Sequence, residues 1–242
     1  ADWKPAVYQN DTDPIRPMYY RLADGIMQLN ETAPASQPNL QPGMIKIKDV
    51  DGFLRAEDGS PIVTENGRFI RTGEPDGIID DADYKMQGTS DPGLILGFSN
   101  TFRYKKISML IDFNGLFGRK MADPTFTSYG LGANGALRTV LERWTPQNPS
   151  TTYPGSNMGR SIFGVGDFFL QNAWFVRLQN VSLNYDISTG ALKEYIKGIQ
   201  VNATVNNLFV ITPYTGIDPE TDAYVTPYPN VRTFSLGINL SL

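Results

Sequence analysis

Acidic residues at short alternating spacing are the first candidates for chemistry in this chain. Asp49-Val50-Asp51-Gly52 opens like a calcium loop, with carboxylates at every second position and a glycine for the sharp turn. Asp76-Gly77-Ile78-Ile79-Asp80-Asp81-Ala82-Asp83 reads as its completion, displaced by an intervening stretch, Phe53 to Pro75. Together the two segments place several carboxylates in one small loop. Such groups repel one another unless a hard cation neutralises them, and oxygen ligands suit Ca²⁺. The alternative is a solvated acidic loop held by Asx turns.

Composition removes most other chemistries. The 242 residues contain no cysteine and no histidine. That excludes disulfides, thiolate or imidazole metal sites, and Ser-His-Asp or Cys-His catalysis. Lys and Arg number 21 against 25 Asp and Glu, a net charge of −4, which argues against a nucleic-acid-binding face. Gly130-Leu131-Gly132-Ala133-Asn134-Gly135 fits a dinucleotide string and precedes a predicted helix, Ala136–Trp144. It lacks the buried strand before it and the acid about 20 residues later that such a site needs, so it reads as loop. Leu137, Val140, Leu141 and Trp144 share one stripe of that helix, a packing pattern. Glu220 and Asp222 read as solvated loop acids rather than a glycosidase pair. Tyr129, Trp144, Tyr153, Phe168, Phe169, Tyr224 and Tyr228 could stack on sugars, line a peptide path, fill loop cores or form an interfacial girdle. No substrate-binding residue stands out, and no enzymatic constellation is present.

The elements that must position these residues fall into two stretches. Glycine (23), proline (17) and 12% aromatics with 19% charge suit many strands joined by elaborate loops. Residues 1–93 are irregular, broken by Asp13-Pro14, Ala33-Pro34, Gln37-Pro38 and Gln41-Pro42-Gly43, with one short alternating run from Met44 to Asp49. No fixed-period repeat stands out there. From Leu94 the pattern becomes regular. Leu94, Leu96, Phe98, Phe102 and Tyr104 are apolar at every second position except Asn100, with Ile95, Gly97, Ser99, Thr101 and Arg103 between them, and Ile107, Met109, Ile111 and Phe113 resume the alternation after Lys105-Lys106. A two-residue hairpin there pairs Tyr104 with Ile107, Phe102 with Met109 and Phe98 with Phe113, putting both apolar sets on one face. Trp174, Val176 and Leu178 alternate, then Val181, Leu183, Tyr185 and Ile187; the slip near Asn180 predicts a bulge. Ile199 to Val205 and Phe234 to Leu242 complete the set. The opposite face carries Arg103, Asp112, Arg177 and Asp186 among Ser, Thr, Asn and Gln.

Alternation of this kind suits a soluble sandwich whose core is the apolar face, or a membrane barrel whose apolar face meets lipid. Connections separate the two. Lys105-Lys106 and 188–198 are short, whereas 115–172 and 212–230 are long, and they alternate as periplasmic turns and outer loops do. No run of 18 apolar residues exists, so no transmembrane helix is expected, which leaves a barrel open.

Several stretches resemble the SusC/RagA family of TonB-dependent outer-membrane transporters of Bacteroidetes. Asn206-Asn207-Leu208-Phe209 followed by Tyr214-Thr215-Gly216-Ile217-Asp218-Pro219-Glu220 is similar to the family's Asn-Leu-Phe and Tyr-x-Gly-x-Asp-Pro-Glu signature. Tyr228-Pro229 with Arg232-Thr233-Phe234-Ser235-Leu236-Gly237-Ile238-Asn239-Leu240 resembles its terminal strand. Phe175 to Leu183, Arg143 to Pro149, Asp24-Gly25-Ile26, Gln41-Pro42-Gly43 and Asp49-Val50-Asp51-Gly52 add further matches in family order. Two departures are Leu242 at the C-terminus, where an aromatic is usual, and the split acidic loop.

The resemblance implies an all-β fold: an antiparallel transmembrane β-barrel, of which this chain would supply the C-terminal strands of 22. Residues 1–93 would be an extracellular loop region with short strands and the split calcium-like loop, and 94–242 the last barrel strands with outer loops 115–172 and 212–230. The function implied is uptake of oligosaccharides or peptides across the outer membrane, with a SusD-like surface lipoprotein. Further partners would be the rest of the barrel and plug, outer-membrane lipid, and the TonB–ExbB–ExbD complex, reached through an N-terminal part not in this chain. The C-terminus would be periplasmic and the long loops extracellular. Mapped across the insertion, the family's uninterrupted acidic motif makes Asp49, Asp51 and Asp76 the first three ligands of a structural Ca²⁺, the Ile78 carbonyl the next, and Asp80 and Asp83 the last. The rival expectation is a secreted, calcium-stabilised β domain for glycan binding or adhesion.

Overall fold

The computed structural model describes residues 17–65, 67–122, 138–155, 166–187, 190, 196–221 and 228–241. Two compact units emerge, Ala1–Ser90 with Ala122–Gln171, and Asp91–Met121 with Asn172–Leu242. Residues 122–171, grouped by sequence with the strand-rich half, therefore pack with the first stretch.

The second unit is built on one antiparallel sheet. Its strands are β5 (Leu94–Tyr104), β6 (Ile107–Phe117), β9 (Phe175–Ile187), β10 (Gly198–Ile211) and β11 (Thr233–Ser241), in the order β11-β10-β9-β6-β5. The hairpin at Lys105-Lys106 pairs Tyr104 with Ile107, Phe102 with Met109 and Phe98 with Phe113, as the alternation predicts. Lys105 takes φ +53, the conformation that the tight two-residue turn requires of it. The register then carries residue types across the whole sheet in rows. One row reads Phe102, Met109, Leu183, Ala203, Leu236, and the next on that face Tyr104, Ile107, Tyr185, Val201, Ile238. The intervening row reads Arg103, Ser108, Asn184, Asn202, Gly237. On that polar face Ser99 Oγ bonds Asp112 Oδ1 at 2.5 Å and Gln200 Nε2 donates to Asp186 Oδ1 at 2.8 Å.

The predicted bulge is present. Asn180 pairs with Asp112 and Asn206, but Leu178 pairs with Phe113 and Phe209. Gln179 is thus one residue extra against β6, and Asn207-Leu208 are extra on β10, where Asn207 takes φ +54. One extra residue re-phases the first half of β9 so that both of its alternating sets stay on the same face. The apolar rows are not covered. Phe234, Leu236 and Ile238 are 68%, 80% and 66% exposed, and Phe98, Phe102, Tyr104, Leu183 and Tyr185 are exposed as well.

The first unit holds short strands around a conventional core. β1 (Pro17–Tyr20) pairs with β4 (Lys85–Thr89), and β2 (Ala23–Ile26) with β3 (Ile45–Ile47). Ile26, Ile45, Ile47, Trp144 and Phe169 form the buried cluster. Within the described part of the predicted α-helix over 136–144, Arg138–Glu142 is a 3-10 turn, with Leu141 exposed and Trp144 buried; residues 136–137 and the Val140 side chain lie outside the described residues. Trp144 instead anchors the segment by its indole Nε1, which donates to Gln28 Oε1 at 3.0 Å, and by its backbone N–H to the Tyr153 carbonyl at 2.7 Å. Gly43 (φ +92) lies under the indole, where a Cβ would come 2.5 Å from Trp144 Cε3. The Gly130–Gly135 string lies outside the described residues.

The stretch between the two halves of the acidic motif has a period that sequence reading missed. Leu54, Ile62 and Ile70 recur at every eighth position, as do Phe53, Pro61 and Phe69, and Ala56, Thr64 and Thr72. Their backbones close a ring: Leu54 N donates to Ile70 O, Ile70 N to Ile62 O, and Ile62 N to Leu54 O, at 2.7–3.0 Å. A second tier repeats the pattern, with Ala56 N to Ser60 O, Thr64 N to Arg68 O, and Thr72 N to Gly52 O. Gly59 and Gly67, at φ +82 and +71, turn the chain between tiers. The stretch is a ring of three repeats joined by isolated bridges and closed by the residue that enters it.

Gly43→Ala is expected to lower stability of the first unit by about 2–4 kcal/mol, since positive-φ strain adds to overpacking. Gly25→Ala, with φ +81 but no atom within 4 Å of the added Cβ, should lose only about 1 kcal/mol. Denaturant unfolding of both variants in micelles, followed by Trp144 fluorescence, reads the difference.

Candidate functional site

The structure brings together the two halves of the acidic motif. Asp80 caps the 3-10 turn Asp81–Asp83: its Oδ1 accepts from Ala82 N at 2.8 Å, while Asp83 Oδ2 accepts from Asp80 N at 2.8 Å. Asp83 Oδ1 accepts from Val50 N at 2.8 Å and Asp51 N at 3.4 Å, so this fully buried side chain ties residues 50–51 to 80–83. Asp49 accepts from Gly77 N at 2.6 Å and Asp76 N at 3.3 Å. Asp76 Oδ1 accepts from Ile78 N at 3.0 Å, an Asx turn, and the Ile78 side chain is exposed. Gly52 packs against Asp76, 2.5 Å from where a Cβ would sit.

Four cationic side chains that sequence reading did not single out complete the cluster. Lys85 Nζ donates to Asp51 Oδ2 at 2.7 Å, and Arg71 Nη1 to the same oxygen at 3.3 Å. Gly52 N and Gly73 N occupy Asp51 Oδ1 at 3.0 and 2.9 Å. Arg55 Nη2 donates to Asp80 Oδ2 at 2.7 Å, and its Nε lies 3.6 Å from Asp76 Oδ2. Arg21 reaches the Asp80 carbonyl at 3.1 Å and Asp81 Oδ1 at 3.5 Å. The eight-residue period was the signal that could have found Arg55 and Arg71, which hold the same place in the first and third repeats.

This arrangement does not fit a calcium ion. Ca²⁺ takes six to eight oxygens at ~2.3–2.6 Å, converging on one point. Here the carboxylates of Asp49, Asp51, Asp80 and Asp83 are turned into N–H donors, and no group of three or more acids among the described residues is placed to hold a metal. The expected ligand set of Asp49, Asp51, Asp76, Ile78, Asp80 and Asp83 is thus gathered into one neighbourhood, with the carboxylates of Asp49, Asp51, Asp80 and Asp83 committed to N–H donors and Asp76 Oδ2 buried without a hydrogen bond, 3.6 Å from Arg55 Nε.

Electrostatics follow from the contacts. Burial pushes the Asp51 carboxyl up, but the Lys85 hydrogen bond, the Gly73 N–H and the charges of Lys85 and Arg71 outweigh it and hold the group below the ordinary carboxylate range. Asp83 goes the other way: burial raises it, three backbone N–H groups only partly offset that, and the Asp49 charge adds to the rise.

A second polar cluster lies in the sheet unit, on residues of the signature segments. Arg177 and Asp218 are both buried, with Nη2 2.7 Å from Oδ1; Arg177 Nε also lies 3.2 Å from Glu220 Oε2. Asp218 further accepts from Glu220 N at 2.9 Å and Asn230 N at 3.1 Å, and Asn230 Nδ2 donates to Glu220 Oε2 at 2.7 Å. Arg119 Nη1 reaches the Pro219 carbonyl at 3.3 Å. Glu220 therefore belongs to a loop-pinning network, and Asp222, suggested as its neighbour acid, lies outside the described residues. Thr212 Oγ1 donates to the Trp174 carbonyl at 2.7 Å and fixes the start of the same loop. Of the loop aromatics, Trp144, Tyr153, Phe168 and Phe169 fill the core of the first unit, Tyr228 is exposed, and Tyr129 and Tyr224 lie outside the described residues.

Arg177→Met should destabilise the sheet unit by about 3–5 kcal/mol, because it leaves a buried Asp218 without its counter-charge. Faster proteolysis of residues 212–221 in micelles would register it. In the first unit, the Asp51 contribution is fully present above the unfolded-state value of about 3.9 and is lost as pH falls through its lower folded value. Asp83, raised by burial, contributes with the opposite sign, so acidification relieves its cost. Wild-type protein should accordingly lose protection of residues 49–83 below about pH 4, and Asp51→Asn should flatten that loss.

No protein-family model matches the chain. Among characterised proteins it is 28% identical over 189 residues to TonB-dependent receptor P3 of Formosa agariphila, covering 72% of this chain and 19% of that protein. It is 29% identical over 192 residues to the TonB-dependent receptor SusC of Bacteroides thetaiotaomicron, covering 76% of this chain and 18% of that protein. The chain thus spans about a fifth of the length of these relatives. Among solved structures it resembles the RagAB peptide transporter with a TM-score of 0.59 and 24% identity, over 93% of this chain and 22% of that one. RagAB in its open-open state gives 0.61 and 23%, over the same shares. The fold is that of an antiparallel-strand segment of a RagAB-type transporter, and the chain's homologues are TonB-dependent receptors, SusC among them.

Proposed function

We propose that this chain forms part of the barrel wall and outer surface of a TonB-dependent outer-membrane importer. The observation that supports this most strongly is the exposed apolar face of the five-stranded sheet. Phe98, Phe102, Tyr104, Leu183, Tyr185, Phe234, Leu236, Ile238 and Leu240 are all exposed in continuous rows. Soluble monomers rarely leave contiguous apolar patches beyond a few hundred Å². The rival secreted β domain needs those rows as a dry interior, and Phe234 and Ile238 are exposed instead.

The dimensions also suit a bilayer. β6 spans Ile107–Phe117, and ten steps of ~3.4 Å tilted by ~40° rise ~26 Å, close to the ~25 Å apolar band of outer-membrane barrels. Tyr104 and Tyr185 bracket the end near the Lys105-Lys106 turn, while Phe117 and Trp174 stack at 6.1 Å near the other. Aromatic girdles of this sort mark membrane interfaces. The outward edges of β5 and β11 have no neighbour in this sheet, and an open edge is not sustainable in hydrocarbon, so further strands would pair with both.

On this reading the apolar face meets lipid and the row Arg103, Ser108, Asn184, Asn202 faces a wet lumen. The Lys105-Lys106 turn is periplasmic and loops 115–172 and 212–230 are extracellular. A SusD-like surface lipoprotein closes over these loops, and oligosaccharide or peptide cargo passes inward when the TonB–ExbB–ExbD complex acts on the plug. The names of the relatives support the receptor class. A cysteine introduced at Asn148 should react with a membrane-impermeant maleimide on intact cells, and one at Lys105 should be protected until the outer membrane is opened. The reverse pattern would sink this topology.

A further inference from the structure

We propose that the inserted ring of residues 53–75 supplies built-in cations to the acidic loop, so that Arg55 and Arg71, with Lys85, do the neutralising work of a divalent metal and the loop folds without one. The clustered carboxylates need counter-charge whatever its source, because like charges this close cannot all stay ionised unaided. Arg55 meets Asp80 and Asp76, Arg71 meets Asp51, and Lys85 meets Asp51 from the neighbouring strand. A guanidinium presents donors in a fixed fork and is always charged, so two of them on a rigid support can serve as a permanent, non-exchangeable cation pair.

The repeat shows how the support is built. Its third position is Arg55, Val63 and Arg71 in the successive repeats. The two arginines fall where the ring meets the acids, and Val63, in the equivalent place of the middle repeat, is exposed to solvent. The ring also aims backbone donors at the same carboxylates. Gly73 N bonds Asp51 Oδ1, and Thr72 N closes the ring on the Gly52 carbonyl, next to Asp51. Both ends of the insertion are therefore stitched to the cluster that it neutralises. Arg71 Nη2 lies 3.4 Å from the Asp81 carbonyl and Arg55 Nη1 3.1 Å from that of Gly59, so each guanidinium is held from both sides.

The test uses the protein in detergent micelles. Calcium chloride titrated by calorimetry should give no saturable heat, and limited proteolysis across residues 49–83 should proceed at the same rate, within about twofold, in EDTA and in millimolar calcium. Saturable binding that Asp49→Asn abolishes, or proteolysis that EDTA accelerates, would overturn the proposal. In the second arm, Arg55→Gln/Arg71→Gln should be cut at least about tenfold faster than wild type in EDTA. A double variant as resistant as wild type would also overturn it. Should the double variant fail to reach the membrane, the wild-type calcium arm still decides.

Discussion

Strand register is the constraint on which the sheet unit depends. Side chains alternate faces with a period of two, so a slip of one residue would exchange the rows led by Phe102 and Arg103 across the whole sheet. β9 carries an intrinsic slip: Trp174, Val176 and Leu178 are even-numbered, whereas Val181, Leu183, Tyr185 and Ile187 are odd. Gln179, left without a partner in the ladder, absorbs it, and Asn207 at φ +54 makes the matching adjustment on β10. Both irregularities fall just before the strand ends that lead to the long loops. There Arg177, next to the bulge, turns to the polar side and grips Asp218. The bulge therefore keeps the apolar face unbroken and also places the charge that holds the loop.

The first unit uses polar and aromatic pins where the sheet uses rows. Among the described residues Asp83 is buried without a cation in contact, held by three backbone N–H donors, the kind of satisfied polar site that fixes geometry more than it adds stability. Trp144 joins Gly43, Gln28 and Tyr153, residues far apart in the chain, into one core. Signature segments such as Gln41-Pro42-Gly43 and Arg143-Trp144 thus meet in space for packing reasons.

Much of this was legible in the sequence, for identifiable reasons. The hairpin pairs and the slip near Asn180 were readable because period-two alternation reports the face directly. The gathering of Asp49 and Asp51 with Asp76, Asp80 and Asp83 was also readable. The cations that meet them were not read, because Arg55 and Arg71 sit in a short repeat whose positions mix Phe with Pro and Arg with Val, so its eight-residue period is faint until the backbone ring displays it. In the described part of the helix expected over 136–144, Arg138–Glu142 takes a 3-10 turn instead, with Trp144 held by tertiary contacts and Leu141 in solvent. The grouping of 122–171 with the first stretch was hidden for a related reason: it rests on scattered long-range contacts of Trp144, Gly155, Asp167 and Phe169, which leave no periodic trace.

The central claim is that one face of the sheet touches acyl chains and the other touches water. Nitroxide labels at Leu236 and Ser235, neighbours on β11 with opposite faces, test it most directly in reconstituted bilayers. The account predicts that the label at Leu236 collides with molecular oxygen, which partitions into lipid, and is shielded from a water-soluble nickel chelate, with the opposite preference at Ser235. A label at Leu236 shielded from both agents, as in a dry protein interior, would contradict it.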